Sequence, residues 1–199
     1  MKHIQLPISE ETVRELKIGD EVLISGVMVT ARDAAHKFLI DHNPPEYQNI
    51  LGGTLIYHCG PVVSKISDQW KFVAAGPTTS IREEPYEATV IRNFGVRGIV
   101  GKGGMGEMTL NALKEHGAVY LHATGGAATM LAECVVRVKN VFLLDELGVP
   151  EAFWQIEVKD FPAVVTMDSH GGSLHKTVRE VSDKVLAELV GHELNTAQS

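Results

Sequence analysis

The chain has 199 residues, a length for one domain with a sizeable core, and its 44% apolar and 22% charged residues are those of a globular protein. A net charge of −7 with no long basic run argues against a nucleic-acid partner. No apolar stretch reaches the ~18 residues of a membrane span, and Met1–Pro7 has no apolar h-region, so a cytoplasmic protein with reduced thiols is expected. The cysteines, Cys59 and Cys134, are too few for an iron–sulfur cluster, which takes three or four thiolates. Neither an HExxH motif nor a Cys/His quartet marks zinc.

In chain order, Glu21–Gly26 reads as a strand and Thr30–His42 as a helix, with Thr30 and Asp33 as its capping box. A connector containing Pro44-Pro45 and Gly52-Gly53 follows, then strands at Leu55–Cys59 and Trp70–Ala75. Proline suits the first position of a helix and not its interior, so the next helix starts at Pro85 and ends near Gly95. Gly76–Glu84 is left as a loop. Strand Val96–Val100, a glycine-rich loop, helix Met108–His116 and strand Ala118–His122 make a β-loop-α-β unit. Gly125-Gly126 opens another short helix, and two further strands lie around Gln155–Val158 and Ala163–Met167. In the final helix Leu174, Val178, Val181, Val185 and Leu189 line one face. This alternation predicts a single α/β domain over 1–199.

Three segments carry chemistry. Gly101-Lys102-Gly103-Gly104-Met105-Gly106 matches GxGxxG between a strand and a helix. It lacks the acid about 20 residues on that holds a ribose, and Lys102 precedes the glycines, so the Walker pattern fails as well. What remains is a lysine on a loop open to close ligand approach, or a tight turn with a solvated lysine. Gly76-Pro77-Thr78-Thr79-Ser80-Ile81-Arg82 gathers hydroxyls and a guanidinium where a strand ends, the position at which α/β domains place ligands. Arg32 falls in the first turn of its helix, where the macrodipole disfavours a cation; a bound anion would remove the conflict. His36 lies on the same face, either as a general base or as a half-buried structural histidine. His58-Cys59-Gly60-Pro61 and Asp168-Ser169-His170-Gly171-Gly172 read mainly as structural loops.

Taken together and in this order, Thr30-Ala31-Arg32-Asp33, the Gly76–Arg82 segment and the Gly101–Gly106 loop resemble the C-terminal domain of class I fumarases, a pattern shared by the β subunit of L(+)-tartrate dehydratase. The resemblance extends from about Leu6 to about His175. It implies a swivelling β/β/α domain that binds no cluster alone and works with a partner domain or α subunit holding a [4Fe-4S] cluster. The chain's length fits a separate β subunit, with a β–β contact in an α2β2-type assembly. The implied activity is reversible hydration of fumarate to L-malate, with tartrate as the alternative dicarboxylate. Carried over by motif, Arg32, Arg82 and Lys102 would bind substrate carboxylates with Thr79 assisting. Thr78 matches the hydroxyl assigned as the base, and His36 matches a histidine also proposed for the site. Glu83 departs from the methionine that relatives often carry there, which bears on the choice of diacid. Of other classes, a non-catalytic docking subunit of an iron–sulfur protein and a nucleotide-binding module remain open.

Overall fold

The computed structural model describes residues 1–190; residues 191–199, the tail of the expected domain, lie outside the described residues. The chain opens with β1 (Lys2–Gln5) and α1 (Glu10–Arg14), then β2 (Glu21–Thr30) and α2 (Asp33–His42). A 3-10 turn at Pro45–Tyr47 and α3 (Gln48–Leu51) lead to β3 (Leu55–Tyr57) and the hairpin of β4 (Val62–Ile66) and β5 (Gln69–Ala74). A second 3-10 turn, Ser80–Glu83, runs into α4 (Glu84–Phe94). Next come β6 (Gly98–Gly101), α5 (Glu107–His116), β7 (Val119–His122) and α6 (Ala128–Glu133). β8 (Val135–Phe142), α7 (Leu144–Leu147), β9 (Phe153–Met167) and α8 (Leu174–Val190) follow.

Sheet closure depends on β2 and β9, which pair antiparallel from Glu21↔Val164 to Thr30↔Trp154. The other edge of β2 is shared by β1 and β3, both parallel to it. The other edge of β9 is shared by β8 and β7, both antiparallel. Because β3, β6 and β7 are parallel neighbours, β2, β3, β6, β7 and β9 form a closed ring. Strand alternation then divides the core. Leu55 and Tyr57 join a cluster with Ile24, Met28, Trp154 and Ile156, while Ile56 between them packs with Val29, Leu39, Val90 and Phe94 on the helical side. Ile99 and Tyr120 pack likewise with Leu110 and Leu113 of α5. The β4–β5 hairpin covers the first cluster, with Trp70 and Phe72 meeting Trp154 edge-on at 5.3 and 5.8 Å between centroids. The outcome is a mixed α/β fold with β/β/α layering.

Several elements depart from expectation. Thr30 is the last residue of β2 and its hydroxyl accepts from the Trp154 amide, so no capping box forms and α2 begins at Asp33. β2 does not stop at Gly26. The glycine has φ +116 and sits where a Cβ would come within 2.6 Å of the Leu6 carbonyl, so it marks a close approach rather than an end. Opposite it, Asp160 (φ 51) forms a bulge, its amide bonded to the Ser25 hydroxyl at 3.0 Å, and the two strands expected around Pro162 are one. β4 and β8 were not foreseen. β8 has two register shifts that break its two-residue alternation, and the β4–β5 turn uses Ser67 and Asp68 at positive φ in place of Asn-Gly. α8 forms as expected, but Val178, Val181, Val185 and Leu189 are exposed.

Candidate active site

Backbone bonds bring two of the three motif segments side by side. The Thr78 amide donates to the His58 carbonyl at 2.7 Å, and the Lys102 amide donates to the Thr78 carbonyl at 3.3 Å. The Ser80 amide returns to the Lys102 carbonyl at 3.0 Å, making a parallel bridge between Thr79 and Lys102. Half-buried Thr78 and Lys102 and exposed Thr79 therefore meet where β3 and β6, parallel neighbours, both end. That is the ligand-binding end of a parallel sheet.

The third segment approaches through its charges. Arg32 is the N-cap residue of α2, and its side chain lies across Gly60, where a Cβ would come within 2.5 Å of Nη1. The His58–Pro61 loop is thus the floor beneath an arginine. Arg32 Nε stands 3.4 Å from Glu151 Oε1, while Glu151 Oε2 accepts from the Ala34 amide at 3.0 Å. The anion expected at this helix start is present, supplied by the chain itself. Arg82 pairs with Asp33, the residue after Arg32, and so joins the second segment to the third. Lys102 has no carboxylate partner among the described residues.

His36 lies one turn into α2 and is wholly buried. Its Nδ1 bonds the Arg32 carbonyl at 2.9 Å and its Nε2 stands 3.0 Å from Glu87 Oε2. Burial works against a charge on His36, but the Glu87 carboxylate outweighs it and the pKa is raised to about 9. Burial likewise works against ionised Glu87, and His36 outweighs it, bringing the carboxyl down to about 2. His58 also meets Glu87 Oε2 at 3.0 Å, yet burial lowers its pKa, so it is neutral at pH 7. Beside this trio, buried Glu83 has neither oxygen hydrogen-bonded. Burial first and then the Asp33 carboxyl push its pKa up to about 8.

Glu87 and Glu151 were not among the sequence candidates, and His58 fell in a segment read mainly as a structural loop. Glu87 carried a readable signal: with Val90, Ile91 and Phe94 it lies on the buried face of α4, and a carboxylate on an apolar stripe requires a partner. Glu151 carried none, being a surface-type acid 117 residues from its helix. The Asp168 loop is structural as expected, with its carboxylate accepting from the amides of Ile18, His170 and Gly172.

A model described as "Fumarase C-terminus" matches residues 1–178. The chain belongs to the fumarase C-terminus family. Over 186 residues it is 55% identical to "Putative fumarate hydratase class I" of Geobacillus stearothermophilus, covering 93% of this chain and 35% of that protein. The chain thus spans about a third of that relative's length. It is 43% identical over 187 residues to "Putative L(+)-tartrate dehydratase subunit beta" of Methanocaldococcus jannaschii, covering 92% of this chain and 96% of the relative. To "L(+)-tartrate dehydratase subunit beta" of Escherichia coli it is 36% identical over 196 residues, covering 96% of each. A [4Fe-4S] cluster does not fit this fumarase C-terminus chain on its own donors. Cys59 is buried with its thiol pushed up to about 12, which leaves at most Cys134 where three or four thiolates are needed. Among the described residues, no helix is long and apolar enough to cross a membrane.

Proposed function

We propose that this chain is the β subunit of an iron–sulfur hydro-lyase, hydrating fumarate reversibly to L-malate in the cytoplasm with a cluster-bearing α subunit in an α2β2-type assembly. The observation that carries this reading is the junction of Thr78, Thr79 and Lys102 at the strand ends, tied through Asp33 to Arg82 and the Arg32 helix start, in a member of the fumarase C-terminus family. Near-complete mutual coverage with tartrate dehydratase β subunits supports a separate subunit. The higher identity to a fumarate hydratase favours fumarate and malate, with tartrate as the second substrate reading.

The chemistry asked of this chain is removal of a proton beside a carboxylate. Such a proton is very weakly acidic, and its loss builds charge on that carboxylate. Arg32, Arg82 and Lys102 would stabilise the charge where it develops, Lys102 without first surrendering an internal partner. Thr78 is the proposed base. Its peptide is held at both N–H and C=O, which directs the hydroxyl, and the nearby cations favour the alkoxide. His36 bonds a carbonyl through Nδ1 and sets Nε2 3.0 Å from a carboxylate. Against burial, that carboxylate raises the histidine's pKa to about 9, so at pH 7 His36 is an imidazolium, unsuited to take another proton. The test is anaerobic mixing of the chain with its α subunit, scored by malate turnover and by exchange of the malate C3 hydrogen with deuterated solvent. Both should need both subunits. Turnover by the isolated chain, or a cluster bound stoichiometrically to it, would overturn the reading.

A further inference from the structure

The buried trio is the middle of a longer string. His58 Nδ1 lies 3.0 Å from the Ser80 hydroxyl, the Tyr120 hydroxyl donates to Ser80 Oγ at 2.8 Å, and the Gly104 amide donates to the Tyr120 oxygen at 3.3 Å. Every side chain along it, from His36 through Glu87, His58 and Ser80 to Tyr120, is fully buried. Its two ends fix the proton positions. A peptide N–H only donates, so Gly104 gives to Tyr120, Tyr120 to Ser80, Ser80 to His58 Nδ1, and His58 Nε2–H to Glu87. At the other end the Arg32 carbonyl only accepts, so His36 Nδ1 carries hydrogen, and its Nε2 stands 3.0 Å from the same carboxylate oxygen. A hydrogen bond from His58 and an ion-pair contact from His36 therefore converge on Glu87 Oε2.

Each anchor of the string belongs to a segment of the candidate site. Arg32 is itself one of the cations, Ser80 lies between Thr79 and Arg82, and Gly104 lies two residues after Lys102. The fit is tight. A Cβ on Gly101 would fall 1.9 Å from the Ser80 hydroxyl and 3.0 Å from that of Tyr120, so the glycine at the end of β6 makes room for the Ser80–Tyr120 bond. Backbone bridges already join Thr78–Ser80 to Lys102, and the backbone reaches the Arg32 helix start by way of β3, through the Ala31 amide on the Tyr57 carbonyl. Among the described residues α2 itself makes no backbone bond to either loop. The side-chain junction of α2 with them runs through Glu87, inside the protein, and through Arg82–Asp33, at the surface.

We propose that Glu87 is a positioning residue for the hydro-lyase reaction: held between His36 and His58, it sets the Arg32 helix start against the Thr78–Arg82 and Lys102 loops. This rests on the site reading proposed above. All three substrate cations are still present when Glu87 changes, so binding survives, while their register against the base is lost. A misplacement of that kind costs on the order of 100-fold in rate.

The experiment uses the α–β complex carrying Glu87→Gln or, at the far end of the string, Tyr120→Phe, with kcat normalised to folded complex. Glu87→Gln should lower kcat by about 100-fold with little change in KM. Tyr120→Phe should lower it by about 10-fold with the thermal midpoint nearly unchanged. Independently of activity, 15N spectra of the histidine rings at pH 7.5 should show His36 protonated on both nitrogens, and neutral in Glu87→Gln. Wild-type kcat in folded Glu87→Gln and Tyr120→Phe would overturn the proposal, as would a neutral His36 in the unaltered chain. Stoichiometric zinc held by the unaltered chain and lost from Glu87→Gln would also overturn it, making the trio a metal site. Failure of the site reading shows differently, as wild-type kinetics in Arg32→Ala and Lys102→Ala. Failure of this proposal alone leaves those two variants impaired.

Discussion

Two ion pairs that α2 makes with its neighbours do different work because solvent reaches one and not the other. Arg82–Asp33 is at the surface, with Arg82 52% exposed, and His36–Glu87 is 0% exposed on both sides. An exposed pair is screened and exchanges partners readily, so an incoming carboxylate can replace Asp33 at little cost. A buried pair cannot lose a partner without leaving an unpaired charge in a low-dielectric interior. The same charge types thus yield an exchangeable pair at the surface, where the proposed function places the ligand, and a fixed pair beneath it. Glu151 lies between the two sets: half-buried with Arg32, its carboxylate occupies the position that the proposed function gives to a substrate carboxylate.

The largest expected effect tests the exchangeable side. Thr78→Ala should abolish turnover in the complex while malate still binds, and His36→Asn should keep measurable turnover. Retained C3-hydrogen exchange in Thr78→Ala with loss in His36→Asn would reverse the two roles. Next comes the fixed side. Glu87→Ala leaves His36 without its counter-charge and should cost about 3–5 kcal/mol of folding stability, read from urea denaturation. Arg32→Ala, Arg82→Ala and Lys102→Ala should each cost about 2–4 kcal/mol of transition-state stabilisation in kcat/KM, with circular dichroism unchanged. Equal losses of stability and rate in all three would erase the distinction between the two sets.

A pH series sharpens it. His36 is raised from 6.5 to about 9, so its contribution to stability is full below 6.5 and lost as pH rises through about 9. Glu87 is lowered from 4.5 to about 2, so its contribution is full above 4.5 and lost as pH falls towards about 2. The stability difference between the unaltered chain and Glu87→Gln should therefore be greatest between pH 4.5 and 6.5 and shrink on both sides. A difference that keeps growing up to pH 10 would rule out the ion pair. The smallest effect is expected at the surface: Asp33→Asn should change stability by less than ~1 kcal/mol.

Much of the architecture was legible because local physics decided it. Pro85 and Gly95 bracket α4 nearly where proline and glycine chemistry requires, and the glycine-rich loop lies between β6 and α5 as its spacing implies. The three cation-bearing segments were legible as well, since charges and hydroxyls at strand ends are local features. What was hidden depends on distant pairing. Whether Arg32 is free or already matched depends on Glu151, and whether His36 is a base or an imidazolium depends on Glu87, a residue of another helix. β8 escaped because its bulges erase the alternation, and Asp160 and Pro162 look like a turn until β2 is seen running alongside.

The pairing of β9 has a bearing on biosynthesis. β9 leaves the ribosome after every strand it contacts, and it pairs directly with β2, some 130 residues earlier by register, and with β7 and β8. Until Met167 is translated, the nascent chain carries β2 and β7 with unpaired edges, the surfaces on which aggregation starts. Contacts of such long sequence separation also make folding slow. Closure of the ring therefore waits for β9, and a chaperone that shields strand edges has its work concentrated in the interval before β9 docks.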